Sequence, residues 1–152
     1  MTLRAASARV FVDTSVLVYV FDADTVAKQM CARNLIIEHL GSSTLALSTQ
    51  VLLEFYWTVT RKPEIPLPHA VAVGFARQLL AAHVVAPSAD LVGAAMERSG
   101  LGQLSVWDAL ILAAAESCGA SVLYTEDRHL LSVAAGLDIV DPFASLDDRA
   151  AD

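Results

Sequence analysis

The chain is 152 residues long, enough for one domain with a closed core. Hydrophobic residues make up 55% and charged ones 18%, against usual shares of about 45–50% and about 25%, so an apolar surplus is left for a dimer interface or a partner groove, unless it reflects only an alanine-rich composition. The formal net charge of −7 excludes a broad basic surface for nucleic acid, yet acids gathered around a divalent cation would serve phosphodiester chemistry, because the metal brings the positive charge.

In chain order, "RVFVD" at 9–13 reads as a buried strand, followed by a short helical turn over "TSVLVYVF" and a helix over 25–40 that Gly41 stops. Asp13, Asp22 and Asp24 interrupt the most apolar stretch, so neither a spanning helix nor a signal peptide is expected, and a cytoplasmic location follows. "TLALS" at 44–48 is a second strand, after which Ser48 or Thr49 caps the helix "QVLLEFYWTVTRK" that ends at the loop "KPEIPLP". Helices over 69–82 and 89–100 flank a short strand "HVVAP". Ser105 opens the helix "VWDALILAAAESCG", then come the strand "SVLYT", a helix through "RHLLSVAA" and a last strand "DIVD". Residues 1–143 are expected to form one domain and 144–152 a polar, disorder-prone tail. Apolar strands alternating with helices predict an α/β fold, three-layer α/β/α with a mostly parallel central sheet. Cys31 and Cys118 lack metal-site or disulfide spacing and are expected in the core, as are Trp57 and Trp107.

Four acids stand out by position. Asp13 and Asp127 follow strands, where parallel sheets bind ligands, although each equally suits a cap or an Asx turn. Glu54 is the one charge in "VLLEFYWTV" and needs a partner, a cleft or a path to solvent. Asp108 lies three residues after Ser105, the spacing of a capping box.

"VFVDTSVLVYVFD", "LSTQVLLEFYWTVTRKP", "LSVWDALILAAAESCGASVLYTED" and "IVDPF" resemble, in order, the motifs of the PIN-domain ribonucleases, in particular the VapC-like toxins of bacterial toxin–antitoxin pairs. The resemblance spans about Val10 to Phe143. It implies a PIN-like fold and a metal-dependent endoribonuclease whose catalytic and metal-binding acids are Asp13, Glu54, Asp108 and Asp127, with Thr14 and Thr125 as hydroxyl neighbours on the substrate side; Arg128, one of the few basic residues near them, is expected to guide RNA. It also implies a Mg²⁺ or Mn²⁺ cofactor, an RNA substrate and a small VapB-like antitoxin, while the apolar surplus is the ground for expecting a homodimer. Asp22 matches an often acidic position but stays outside the acid set. Related sequences often read "NPF" where this chain has "DPF", and the residues after "TED" often include glycine, so the local loop conformation differs.

The chemistry is coherent without the resemblance, since magnesium and manganese take oxygen ligands and can activate water for in-line attack. His39, His69, His83 and His129 show no pairing for acid–base RNA cleavage. A dehalogenase-type phosphatase would need an acid where Ser15 stands, and a receiver domain would need a lysine near "DIVDPF". The remaining alternative is a catalytically silent dimeric interaction module that binds a regulatory partner.

Overall fold

The computed structural model describes residues 8–62 and 64–147. The strands are β1 (Arg9–Val12), β2 (Leu45–Ser48), β3 (His83–Val85), β4 (Ala120–Tyr124) and β5 (Asp138–Val140), all parallel in the order β3-β2-β1-β4-β5. The helices are α1 (Thr14–Leu17), followed directly by a 3-10 turn (Val18–Phe21), α2 (Val26–Gly41), α3 (Thr49–Thr60), α4 (His69–Leu79), α5 (Ala89–Gly100), α6 (Val106–Ser117), α7 (Arg128–Leu131) and α8 (Ala144–Asp147).

The strands β1 and β2 are too apolar to stand with a face in water, whereas the edge strands β3 and β5 keep exposed positions. Phe11 and Val12 of β1, Leu45 and Leu47 of β2 and Leu123 of β4 are fully or almost fully buried, which requires helices above and below the sheet. Right-handed crossovers put the helices of the outward run β1-β2-β3 on one face and those of the return run to β4 and β5 on the other. In keeping with this, α1, α3 and the 3-10 turn pack together, as do α5, α6 and α7. In α6 the run Ile111–Ala115 is buried throughout, its three alanines bringing the helix backbone close to its neighbours. Gly119, at φ 69°, makes the turn from α6 into β4 in a backbone region that favours glycine.

β1 lies between β2 and β4, so the chain leaves it in one direction and returns on its other side. The crevice at the carboxyl ends of β1 and β4 is therefore the topological switch point of the sheet.

The sheet is wholly parallel where the sequence predicts mostly parallel. α2 runs through Gly41, and Ser43, at φ 59°, makes the turn that follows. The expected tail begins as α8, because buried Phe143 and half-buried Leu146 hold that segment to the core. Residues 148–152 of that tail, residues 1–7 and Pro63 of the expected loop lie outside the described residues. The two tryptophans contradict expectation: Trp57 is 59% and Trp107 65% exposed. Their apolar neighbours occupy other sides of the same helices, so a hydrophobic run in sequence is not an all-round buried helix. Cys118 is buried and Cys31 half-buried. Among the described residues no helix is long and apolar enough to cross a membrane.

Candidate acidic cleft

Asp13 ends β1. Its backbone N–H donates to the Tyr124 carbonyl at 3.0 Å, extending the β1–β4 ladder by one residue. The sheet thus fixes where this carboxylate points from. Its Oδ2 accepts the Thr125 hydroxyl at 2.9 Å and the Ser15 hydroxyl at 3.0 Å. Asp13 is only 7% exposed, and burial pushes its carboxyl pKa up. The hydroxyls of Thr125 and Ser15 and the Thr14 backbone oppose that rise, while the negative charge of Glu54 adds to it. Every opposing influence is a neutral hydrogen-bond donor, so the buried carboxylate is solvated by dipoles rather than paired with a cation.

The segment after β4 is fastened to the same point. Thr125 is fully buried and accepts the Asp127 N–H on its hydroxyl at 3.0 Å. Ser15 Oγ accepts the Glu126 N–H at 3.0 Å. Asp13, Ser15, Val18, Tyr19, Glu126 and Asp127 line one open cleft of about 370 Å³. Asp127 caps α7, its Oδ1 accepting the N–H groups of His129 at 2.8 Å and Leu130 at 3.1 Å. Arg128 and His129 follow it on the exposed side of α7.

Glu54 meets the cleft from α3. Its Oε2 accepts the Thr14 hydroxyl at 3.2 Å, and its Oε1 accepts the Gln50 amide at 2.7 Å. The same Gln50 amide reaches the Trp107 carbonyl at 3.3 Å, linking α3 to the start of α6. Asp108, the next residue, is engaged with Ser105: its N–H donates to Ser105 Oγ at 3.1 Å, and that hydroxyl donates to Asp108 Oδ2 at 2.7 Å.

The four acids stand differently, then. Asp13 and Asp127 line one cleft, Glu54 is near enough for its charge to act on Asp13, and Asp108 is connected through Gln50 and Trp107. Among the described residues no three His, Cys, Asp or Glu side chains form a group that could hold a metal ion. Ser15, Gln50, Glu126 and Lys28, whose ammonium pairs with Glu126 at 2.8 Å, join the site without having been singled out for it in the sequence. The doubled acid of "TED" was the available signal for Glu126. Nothing in the pattern of α2 marks Lys28.

The sequence pattern of the PIN domain matches residues 10–136. No curated protein matches the chain by sequence. Among solved structures, VapC20 of Mycobacterium tuberculosis, a toxin that cleaves the sarcin-ricin loop, is similar with 25% identity over 78% of this chain and 89% of its own, at a TM-score of 0.63. PAE2754 of Pyrobaculum aerophilum is similar with 26% identity over 95% of this chain and 91% of its own, at a TM-score of 0.57. VapBC2 of Rickettsia felis, solved bound to a DNA fragment from its promoter, shares the fold at 19% identity over 86% of this chain and 96% of that one, with a TM-score of 0.62. With its strand order, its acids at the switch point and a family pattern running from β1 past α7, the chain belongs to the PIN domain family.

Proposed function

We propose that the protein is a metal-dependent endoribonuclease that hydrolyses RNA phosphodiester bonds, and that it is the toxin of a toxin–antitoxin pair acting in the cytoplasm. The observation that carries this reading is the buried Asp13 carboxylate at the switch point, solvated by hydroxyls, with Asp127 beside it and the charge of Glu54 acting on it. The likeness to a toxin that cleaves the sarcin-ricin loop supports the choice of RNA.

The donor set fits a hard divalent ion, Mg²⁺ or Mn²⁺, because it is made of carboxylate and hydroxyl oxygens alone. Magnesium keeps several waters and takes one or two carboxylates together with substrate phosphate, so it asks for few protein ligands. Asp13, Glu54, Asp108 and Asp127 are the residues that would hold it. Bound there, the ion would supply Lewis acidity to the phosphate and lower the pKa of water.

The chain's own residues do the rest. Thr125 and Ser15 orient Asp13, while Thr14 and Gln50 orient Glu54. The exposed Arg128 follows Asp127 and offers a guanidinium to the RNA backbone, while Thr14 and Thr125 act through the acids they bond and Ser15 is the hydroxyl in the cleft lining. A homodimer and a VapB-like antitoxin complete the assembly, in line with the VapBC complexes among the structural neighbours.

Incubating the purified protein with a mixed RNA pool tests the reading directly. Cleavage is expected with Mg²⁺ or Mn²⁺, and none is expected with chelator or in Asp13→Asn. An intact pool in both metals leaves the interaction module as the better account.

A further inference from the structure

Lys28 lies in the first turn of α2, yet its ammonium ends at the acidic cleft. It pairs with Glu126 Oε1 at 2.8 Å, with side-chain exposures of 17% for Lys28 and 28% for Glu126. It also sits 5.1 Å from the centre of the Tyr19 ring and 5.4 Å from that of Phe143, and those two rings meet edge to face at 4.9 Å. The ammonium therefore joins four parts of the chain: the 3-10 turn, α2, the β4–α7 segment and the turn after β5.

The backbone of Glu126 is bound on the other side. Its N–H donates to Ser15 Oγ, and that hydroxyl donates in turn to Asp13 Oδ2. One hydroxyl thus separates Glu126 from the buried acid, and its chain neighbours Thr125 and Asp127 both belong to the cleft. Asp13, Glu126 and Asp127 line one cleft, and the Lys28 ammonium meets this group at Glu126.

We infer that Lys28 is a positioning residue: through Glu126 it holds the Thr125–Asp127 segment against Asp13, so that Asp127 stays on the wall of the cleft. This rests on the nuclease reading for its catalytic consequence, but not for its structural one. Lys28 needs no contact with RNA or metal for this role.

The test compares Lys28→Met, which keeps most of the stem and removes the charge, with Glu126→Ala and the double variant. Amide hydrogen exchange is read first, without metal or RNA. The Glu126 and Asp127 amides should exchange about tenfold faster or more in Lys28→Met, while Leu123 in β4 keeps its wild-type rate, because only the local opening has become easier. Manganese binding, read by the electron-spin signal of free Mn²⁺, should weaken. The value of kcat should fall about tenfold with KM nearly unchanged, and the double variant should lose less than the product of the two single losses, since the Lys28–Glu126 pair is common to both. Wild-type exchange at Glu126 and Asp127 in Lys28→Met would overturn the inference, as would losses in the two single variants that multiply in the double. A Tm that drops while kcat and manganese affinity stay at wild-type values would reduce the pair to a structural tie and likewise overturn it. A wild type that cuts no RNA would sink the nuclease reading, and the exchange rates would still decide whether Lys28 holds the segment.

Discussion

The hydroxyl of Thr125 donates to Oδ2 of Asp13 across 2.9 Å, joining the residue just past β4 to the residue just past β1. The same hydroxyl accepts the N–H of Asp127, so one buried oxygen orients an acid from each side of the switch point. It contributes no charge, and burial still holds the Asp13 pKa above its ordinary value of 3.8. The cleft keeps an anion where its protonated form is favoured. That is a poor arrangement for stability and a good one for a cation.

The sign of the resulting pH dependence follows. A carboxyl with a raised folded-state pKa binds its proton more tightly when folded, so this group's contribution to stability grows as pH falls through that pKa towards 3.8. Metal-free Asp13→Asn should therefore melt above the wild type at pH 7, and the gap should close as the pH approaches that ordinary value. Added manganese should raise the wild-type Tm and leave the variant unmoved, because a ligand bound only by the folded state stabilises it. Calorimetry in chelator and in manganese checks both. A variant that melts lower at neutral pH would mean that the Asp13 charge is itself stabilising.

Asp108 and Ser105 separate capping from chemistry. Ser105 Oγ accepts the Asp108 N–H and caps α6, so Ser105→Ala should cost about 1 kcal/mol with or without metal. Asp108→Asn keeps that backbone bond and should stay within about 0.5 kcal/mol of wild type while losing metal-dependent cleavage. Thermal melts paired with cleavage rates read the two effects. An Asp108→Asn protein that melts early and cuts at full rate would assign the acid to the cap alone.

The parts of this molecule that follow from local rules were readable in the sequence. "RVFV" and "LALS" have the apolar density of buried parallel strands, and Ser48 and Ser105 cap the helices they precede. Strand order was not readable, because nothing local states that β4 pairs with β1 over more than a hundred residues. The same limit hid Lys28, whose partner Glu126 is 98 residues away. Trp57 and Trp107 were misread for a related reason: apolar neighbours in sequence describe a helix, while its exposure depends on what the rest of the chain covers.

Those tryptophans bear on assembly. Leu53 and Trp57 lie one turn apart on α3 and are exposed, Trp107 is exposed at the start of α6, and Gln50 bridges the two helices. Apolar side chains exposed in this way are costly to leave in water, and we propose them as the face of the homodimer. Light scattering should give twice the chain mass for the wild type and the single-chain mass for Leu53→Glu, with the circular dichroism unchanged. A monomeric wild type would remove this face from the proposal.

The chemistry of the cut RNA ends is the last expectation, and it follows from where the histidines are. Attack by the RNA 2′-hydroxyl needs a base and an acid that exchange protons near neutral pH, a task that suits histidine. His39 bonds Thr44 at 2.8 Å ahead of β2, and His83 begins β3, so both lie at the amino ends of strands, opposite the cleft. His69 bonds Tyr56 at 3.0 Å between α4 and α3. His129 alone adjoins the cleft, and its link to Asp127 is through its backbone N–H rather than its ring. A carboxylate-rich cleft with no histidine pair suits activated water as the nucleophile. The products should then carry a 5′-phosphate and a 3′-hydroxyl, and a 2′-deoxy substitution at the cleaved nucleotide should leave cutting intact. A 2′,3′-cyclic phosphate, lost together with activity in His129→Ala, would instead give that histidine the role of base and leave the acids to bind rather than to hydrolyse.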